Sequence, residues 1–139
     1  MAIPPSQNRD GQKGDAENLA GAMQKLDGQL HSDIYGFQEV DHFLPRSGSR
    51  PQMRDIAEAL GTRHWAMGPS VIGTPGESWR KKHSHEPEII TGESTHAELM
   101  HESYGIGIVS KIPIIHWDRL ELGKSVFGLP LVIPAENKK

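Results

Sequence analysis

Cysteine is absent from this sequence of 139 residues, and that absence excludes several kinds of site. Without a thiol the chain cannot form a disulfide, bind zinc through thiolates or use a cysteine nucleophile. A run of about 18 apolar residues is also lacking, so the sequence predicts no transmembrane helix. The first residues, Met1 to Ser6, contain neither the charged nor the apolar region of a secretory signal. We therefore expect a protein of the cytoplasm.

A large excess of charge of one sign is lacking too, because the formal net charge is only −3. Such a chain has no overall attraction to phosphate, so a nucleic-acid partner would have to be held by a local basic patch or through a cation. The length suits a single domain that buries its own core. Fifteen glycines and ten prolines predict a high content of loops.

The spacing of apolar residues predicts two helices and several strands. The helices are predicted over about 15–31, with Asp15 as the N-cap, and over about 51–60. Strands are predicted at 34–38, 64–68, 104–110 and 112–122, the last two forming a pair broken at Pro113. Helices and strands that alternate in this way predict a mixed α/β architecture.

Residues 69–102 show no sustained period, contain four of the eight histidines, and predict a long polar insertion on the surface. Imidazole and carboxylate groups are ordinary ligands of zinc and nickel. The candidates are His83, His85, Glu86, Glu88, Glu93, His96, Glu98, His101 and Glu102. Their spacing is not that of a known zinc motif, so a solvated insertion is the simpler interpretation. A module that binds a metal or a partner without catalysis remains the alternative.

A short basic run in the same insertion has two interpretations. Arg80, Lys81 and Lys82 follow Trp79, an arrangement in which cations would hold phosphate while the ring stacks on a base. Three consecutive charges are equally typical of a solvated surface.

The stretch Ile34–His42 contains the strongest single candidate for a site. Glu39 is predicted just beyond the C-terminal end of a short apolar strand, where α/β folds place their ligands. A carboxylate oxygen in that position suits Mg²⁺. The alternative is an exposed glutamate at an ordinary strand end.

The same stretch carries a resemblance to a known family. Ser32-Asp-Ile-Tyr-Gly-Phe-Gln-Glu-Val-Asp41 resembles the "PDIVGLQEVD" motif of the endonuclease/exonuclease/phosphatase superfamily. Tyr104-Gly-Ile-Gly-Ile-Val-Ser-Lys-Ile-Pro-Ile114 is similar to the "YGNALLSRFPI" strand of that family, although Ile106 stands where the family has asparagine. The two motifs occur in the family's order, and the resemblance covers about residues 15–122.

The resemblance implies a fold and a chemistry. The fold is a two-sheet β-sandwich flanked by helices, and the activity is hydrolysis of phosphate esters assisted by Mg²⁺, with Mn²⁺ as a possible substitute. Glu39 is implied as the metal ligand and catalytic residue. Asn8 matches the spacing of a second ligand, although the prolines that precede it do not suit a central strand. The substrate class stays open, and nucleic acid is one candidate.

Several later motifs of the family are not found. No Asp-x-Asn, Thr-His or final Asp-His follows residue 122, and Thr95-His96 precedes the second motif instead of following it. We therefore expect residues 1–139 to form a single partial domain, the N-terminal half of such a fold. We also expect the chain alone to be a poor catalyst, because the residues that position water and transfer its proton are missing.

Overall fold

The computed structural model describes the backbone of residues 12–122 and the side chains of residues 18–122. Asn8 lies outside the described residues. The helices are α1 (Gln12–Leu30), α2 (Gln52–Ala59) and α3 (His96–Leu99). The strands are β1 (Ile34–His42), β2 (His64–Gly73), β3 (Trp79–Lys81), β4 (Ile90–Thr91) and β5 (Ser103–Ser110). The prediction of an α/β fold is confirmed.

All five strands of the described part belong to one antiparallel sheet. Its order is β1-β5-β2-β3, with β4 paired to β2. Strand β5 is central, since Gly107 lies opposite Phe37 of β1 on one side and Met67 of β2 on the other. Residues 12–122 thus form one open sheet, and the two-sheet sandwich stays a prediction.

The longer helices cover one face of this sheet and form the core with it. Along β5 the odd-numbered residues point to that face, so Val109 is buried while Ile108 is 42% exposed. The core side chains include Met23, Tyr35, Met53, Ile56, Trp65, Met67 and Val109. Helix α2 lies so close to β5 that a Cβ added at Gly107 would overlap Sδ of Met53. This contact fixes the distance between helix and sheet.

Two predicted boundaries differ from the structure at the ends of the described part. Helix α1 begins at Gln12, so the prediction of Asp15 as its N-cap is wrong. A glycine inside a helix costs only about 1 kcal/mol, and the helix therefore continues through Gly14. Residues 112–122 contain no strand, because Pro113 lacks the N–H group that a ladder needs.

The polar insertion is more regular than predicted. Strand β2 continues to Gly73, and β3, β4 and α3 all lie within 69–102. The extension is possible because the register of β2 against β5 shifts between Pro69 and Val71. A bulge of this kind tolerates Pro69 within the strand, which was predicted to end at residue 68.

No helix within residues 12–122 combines the length and the apolar character needed to cross a membrane.

Candidate functional site

The candidate site is built around a β-bulge in β1. The strand does not end before Glu39, as predicted, but continues to His42. Its register against β5 shifts between Phe37, opposite Gly107, and Val40, opposite Gly105. Two residues of β1, Gln38 and Glu39, therefore lie against one residue of β5. The extra residue resets the alternation, and Val40 returns to the core.

Glu39 has an unusual backbone conformation within this bulge. Its φ is +58°, in the left-handed region that residues with a Cβ rarely adopt. The side chain is exposed and makes no hydrogen bond or ion pair with another residue of the described part. Strained backbone of this kind is common at functional sites, where the strain directs a side chain. The bulge thus presents a free carboxylate on an otherwise regular strand.

An ion pair next to the bulge fixes the second half of β1. Both oxygens of Asp41 accept hydrogen bonds from Arg46, one from Nη2 at 2.7 Å and one from Nε at 2.9 Å. The amide of Asp41 donates to Oε1 of Gln52 at 2.9 Å. The hydrogen bonds that Arg46 donates to Asp41 raise the pKa of Arg46 above its usual value. Asp41 is therefore occupied as a partner of Arg46.

Tyr104 completes the group that we call the bulge cluster: Glu39, Asp41, Arg46 and Tyr104. It lies opposite Asp41 in the register of β1 and β5, and the guanidinium carbon of Arg46 lies 5.4 Å from the centre of its ring. Burial first, and then the negative charge of Glu39, raise the pKa of the Tyr104 phenol. At neutral pH the phenol therefore remains protonated and can act as a hydrogen-bond donor.

The bulge cluster offers one free carboxylate instead of a closed set of metal ligands. Within the described part, no three histidine, aspartate or glutamate side chains come together to hold a metal ion. Glu39 alone fits a Mg²⁺ ion that keeps several waters and takes further ligands from substrate phosphate. It does not fit a cation such as Ca²⁺ that is enclosed by protein oxygens.

His42, at the end of β1, is the most buried ionisable residue near the site. Its Nε2 lies 2.7 Å from the carbonyl oxygen of Leu99, and its Nδ1 has no hydrogen-bond partner among the described residues. Burial lowers the pKa of His42 to about 4. The ring is therefore neutral at pH 7, and its Nε2–H group donates to Leu99. This bond joins α3 to the end of β1.

The basic run of the insertion is largely paired with acidic residues. Arg80 binds both carboxylate oxygens of Glu86, and Lys82 Nζ lies 2.6 Å from Oε1 of Glu88. These hydrogen bonds lower the pKa of Glu86 and of Glu88. Only Lys81 has no acidic partner within the described part. Binding of phosphate by Arg80 and Lys82 would require these ion pairs to open.

The predicted histidine ligands do not form a common site. The rings of His83 and His85 are stacked with centres 5.5 Å apart, whereas Nε2 of His101 lies 3.2 Å from Oε1 of Glu86. The Glu98 side chain closes a capping box with Thr95 at the start of α3. Two of the candidate carboxylates, Glu86 and Glu98, thus serve the fold of the insertion.

Three members of the bulge cluster, Asp41, Arg46 and Tyr104, were not predicted as site residues. The only sequence signal for Tyr104 was its position at the start of the second family-like motif. Arg46 lies in a 3₁₀ turn at Pro45–Ser47, and this turn brings it back to Asp41. An aspartate and an arginine five residues apart carry no regular spacing from which this contact can be predicted.

We compared the chain with protein-family models, with curated proteins and with solved structures, and no match was found.

Proposed function

We propose that this chain is a Mg²⁺-dependent phosphoesterase domain of the endonuclease/exonuclease/phosphatase type, with Glu39 as its metal ligand. The observation that supports the proposal is the left-handed φ of +58° at Glu39, within a bulge that exposes its carboxylate. His31, Phe43 and Ser49 also have a positive φ. The support therefore comes from the combination of this backbone with an exposed carboxylate that has no hydrogen-bond or ion-pair partner among the described residues.

The residues of the bulge cluster have distinct roles in this proposal. Mg²⁺, when bound, would neutralise negative charge that builds on the phosphate. Glu39 supplies the negative ligand, and Tyr104 donates a hydrogen bond to a phosphate oxygen. Asp41 holds Arg46 against the Tyr104 ring and so positions the phenol. Arg46 and Asp41 are thus positioning residues.

Metal binding is best tested with Mn²⁺, because it is paramagnetic and broadens the NMR signals of nearby amides. In the 139-residue chain we expect broadening of the amides at residues 38–41 and at Tyr104, and recovery of these signals when Mg²⁺ is added in excess. Glu39→Gln, which keeps the size of the side chain and removes its charge, should abolish the effect. The matched control is Glu121→Gln, at another exposed glutamate, which should leave it unchanged.

Two outcomes would contradict the proposal. Equal broadening in the parent chain and in Glu39→Gln would exclude Glu39 as the ligand. Broadening centred on His83 and His85 would support the metal-binding module instead.

In parallel, we expect negligible Mg²⁺-dependent hydrolysis of plasmid DNA or bis-nitrophenyl phosphate by this chain. Turnover that Glu39→Gln abolishes would show that other residues supply the missing acid–base groups.

A further inference from the structure

The sheet face opposite the helices is apolar and only partly covered by the described residues. Ile34, Ile106 and Ile108 point to this face and are 53%, 56% and 42% exposed. Residues 117–122 cross it on the β2 side and enclose, with the sheet, a cavity of about 390 Å³. Domains normally pack both faces of an apolar sheet, and residues 18–122 supply no second layer on this face. We call it the open face.

One residue anchors the segment that crosses the open face. Nη1 of Arg119 donates to the carbonyl oxygen of Pro69 at 2.6 Å and to that of Glu88 at 3.2 Å. The anchor leaves the β1 side uncovered, where Ile34 and Gly36 do not line the cavity. Leu120 and Leu122 remain 82% and 81% exposed beside it. The segment thus adds apolar surface to the open face instead of closing it.

The open face combines exposed isoleucines with a glycine that leaves open space beside them. Gly36 lies directly opposite Ile108 in the register of β1 and β5, and a Cβ added at Gly36 would meet no atom within 4 Å. The side chain of Ile108 therefore stands beside a position that carries no side chain. A two-fold axis through the face would place Ile108 of each copy over Gly36 of the other. This is the geometry of an isologous dimer interface.

The exposed area is sufficient for a weak dimer. Five branched side chains contribute most of it: Ile34, Ile106, Ile108, Leu120 and Leu122. Their exposed surface is roughly 600 Å² in each copy, and two copies would bury about 1,200 Å², the lower end of specific interfaces. Sheets that pack face to face lie about 10 Å apart, a spacing that interdigitated isoleucines fill.

We propose that two copies of this chain associate through their open faces and form a two-sheet sandwich between them. The proposal rests on the apolar face, and its test does not involve metal binding. The face adjoins the bulge cluster, because Ile106 lies opposite Gln38 and Glu39 in the register of β1 and β5. The parent chain should sediment as a monomer at about 1 µM and increasingly as a dimer towards about 500 µM. Ile108→Glu should remain monomeric over this range. Ile115→Glu is the matched control, because Ile115 is fully exposed and does not line the cavity.

A chain without cysteine permits a second test that does not depend on the folding of Ile108→Glu. In Gly36→Cys, the single thiol should react with a maleimide at low protein concentration and become protected as the concentration rises. Protection that is independent of protein concentration would overturn the proposal, because the thiol would then be covered by a segment of the same chain. Residues 123–139 would be the candidates for that segment. A monomer at every concentration, or equal dissociation by Ile108→Glu and Ile115→Glu, would also overturn it.

Discussion

Replacing Glu39 by glycine should stabilise the fold while it removes the proposed metal ligand. Glu39 is held at φ +58°, where an L-residue pays about 1–2 kcal/mol that glycine does not pay. Glycine loses more backbone entropy on folding, which offsets about 0.5–1 kcal/mol of that gain. The exposed side chain of Glu39 makes no hydrogen bond or ion pair with the described residues whose loss must be added. We therefore expect the free energy of unfolding to rise by about 0.5–1 kcal/mol.

The neighbouring position provides the matched control. Gln38 is exposed in the same bulge but does not have a positive φ. Gln38→Gly relieves no backbone strain, so it should lower the free energy of unfolding by about 0.5–1 kcal/mol. Glu39→Gln keeps the backbone conformation and removes only the charge, so its stability should stay close to that of the parent chain. The two glycine variants should thus differ from each other by roughly 1–2 kcal/mol.

Urea unfolding monitored by tryptophan fluorescence measures these differences, because Trp65 is buried in the core and 3% exposed. The slope of the free energy against urea should be the same in all variants, so the midpoints can be compared directly. If Gln38→Gly and Glu39→Gly lower the stability equally, Glu39 is not strained. The bulge would then lose its value as evidence for a site.

Two further predictions concern the core. The pKa of His42 is about 4 in the folded chain against 6.5 ordinarily, so the unfolded chain takes up the proton first and stability is lost as pH falls between these values. Urea unfolding should show a loss of about 2–3 kcal/mol between pH 7 and 4.5 that His42→Gln removes and His116→Gln, at an exposed histidine, does not. Gly107→Ala should cost about 1–3 kcal/mol, because its Cβ meets the flexible Met53 side chain. Gly105→Ala should lower the free energy of unfolding more, since its Cβ would overlap the carbonyl oxygen of Gly68. Gly36→Ala is the control, because a Cβ at Gly36 meets open space. Thermal unfolding measures all three variants.

Local patterns in the sequence predicted those elements that a regular period defines. The apolar positions Met53, Ile56, Ala57 and Leu60 marked α2, which the structure places at Gln52–Ala59. Strand β5 was predicted at 104–110 and lies at Ser103–Ser110. Helix α2 packs its apolar face against the core, and that burial imposes its period. In β5 the apolar residues Ile106 and Ile108 lie on the exposed face instead, so the sequence pattern showed a strand but not which of its faces is buried.

The parts that could not be predicted depend on contacts between residues without a regular spacing. The second half of β2 pairs with β5 only because the bulge after Pro69 restores the ladder, and nothing in the local sequence marks that bulge. The alternation in Ile34–Gln38 would have continued with Glu39 facing the helices. The bulge turns Glu39 outward and puts Val40 in the core instead, a result of pairing with β5 and not of β1 alone.

The same distinction decides how the insertion is interpreted. Three consecutive basic residues can bind phosphate only if their charges are not already paired with acidic side chains. The sequence alone does not show which acidic residues lie beside them. Arg80 and Lys82 each pair with a glutamate six residues later, Glu86 and Glu88, while Lys81 between them has no acidic partner in the described part. Glu86 also accepts a hydrogen bond from the amide of His83 at 2.6 Å, so one buried carboxylate orders the loop that carries the histidines. The charges of Arg80, Lys82, Glu86 and Glu88 therefore have a structural role that needs no ligand. The carboxylate of Glu39 has no such role among the described residues, and this difference supports the proposal of a site at the bulge cluster.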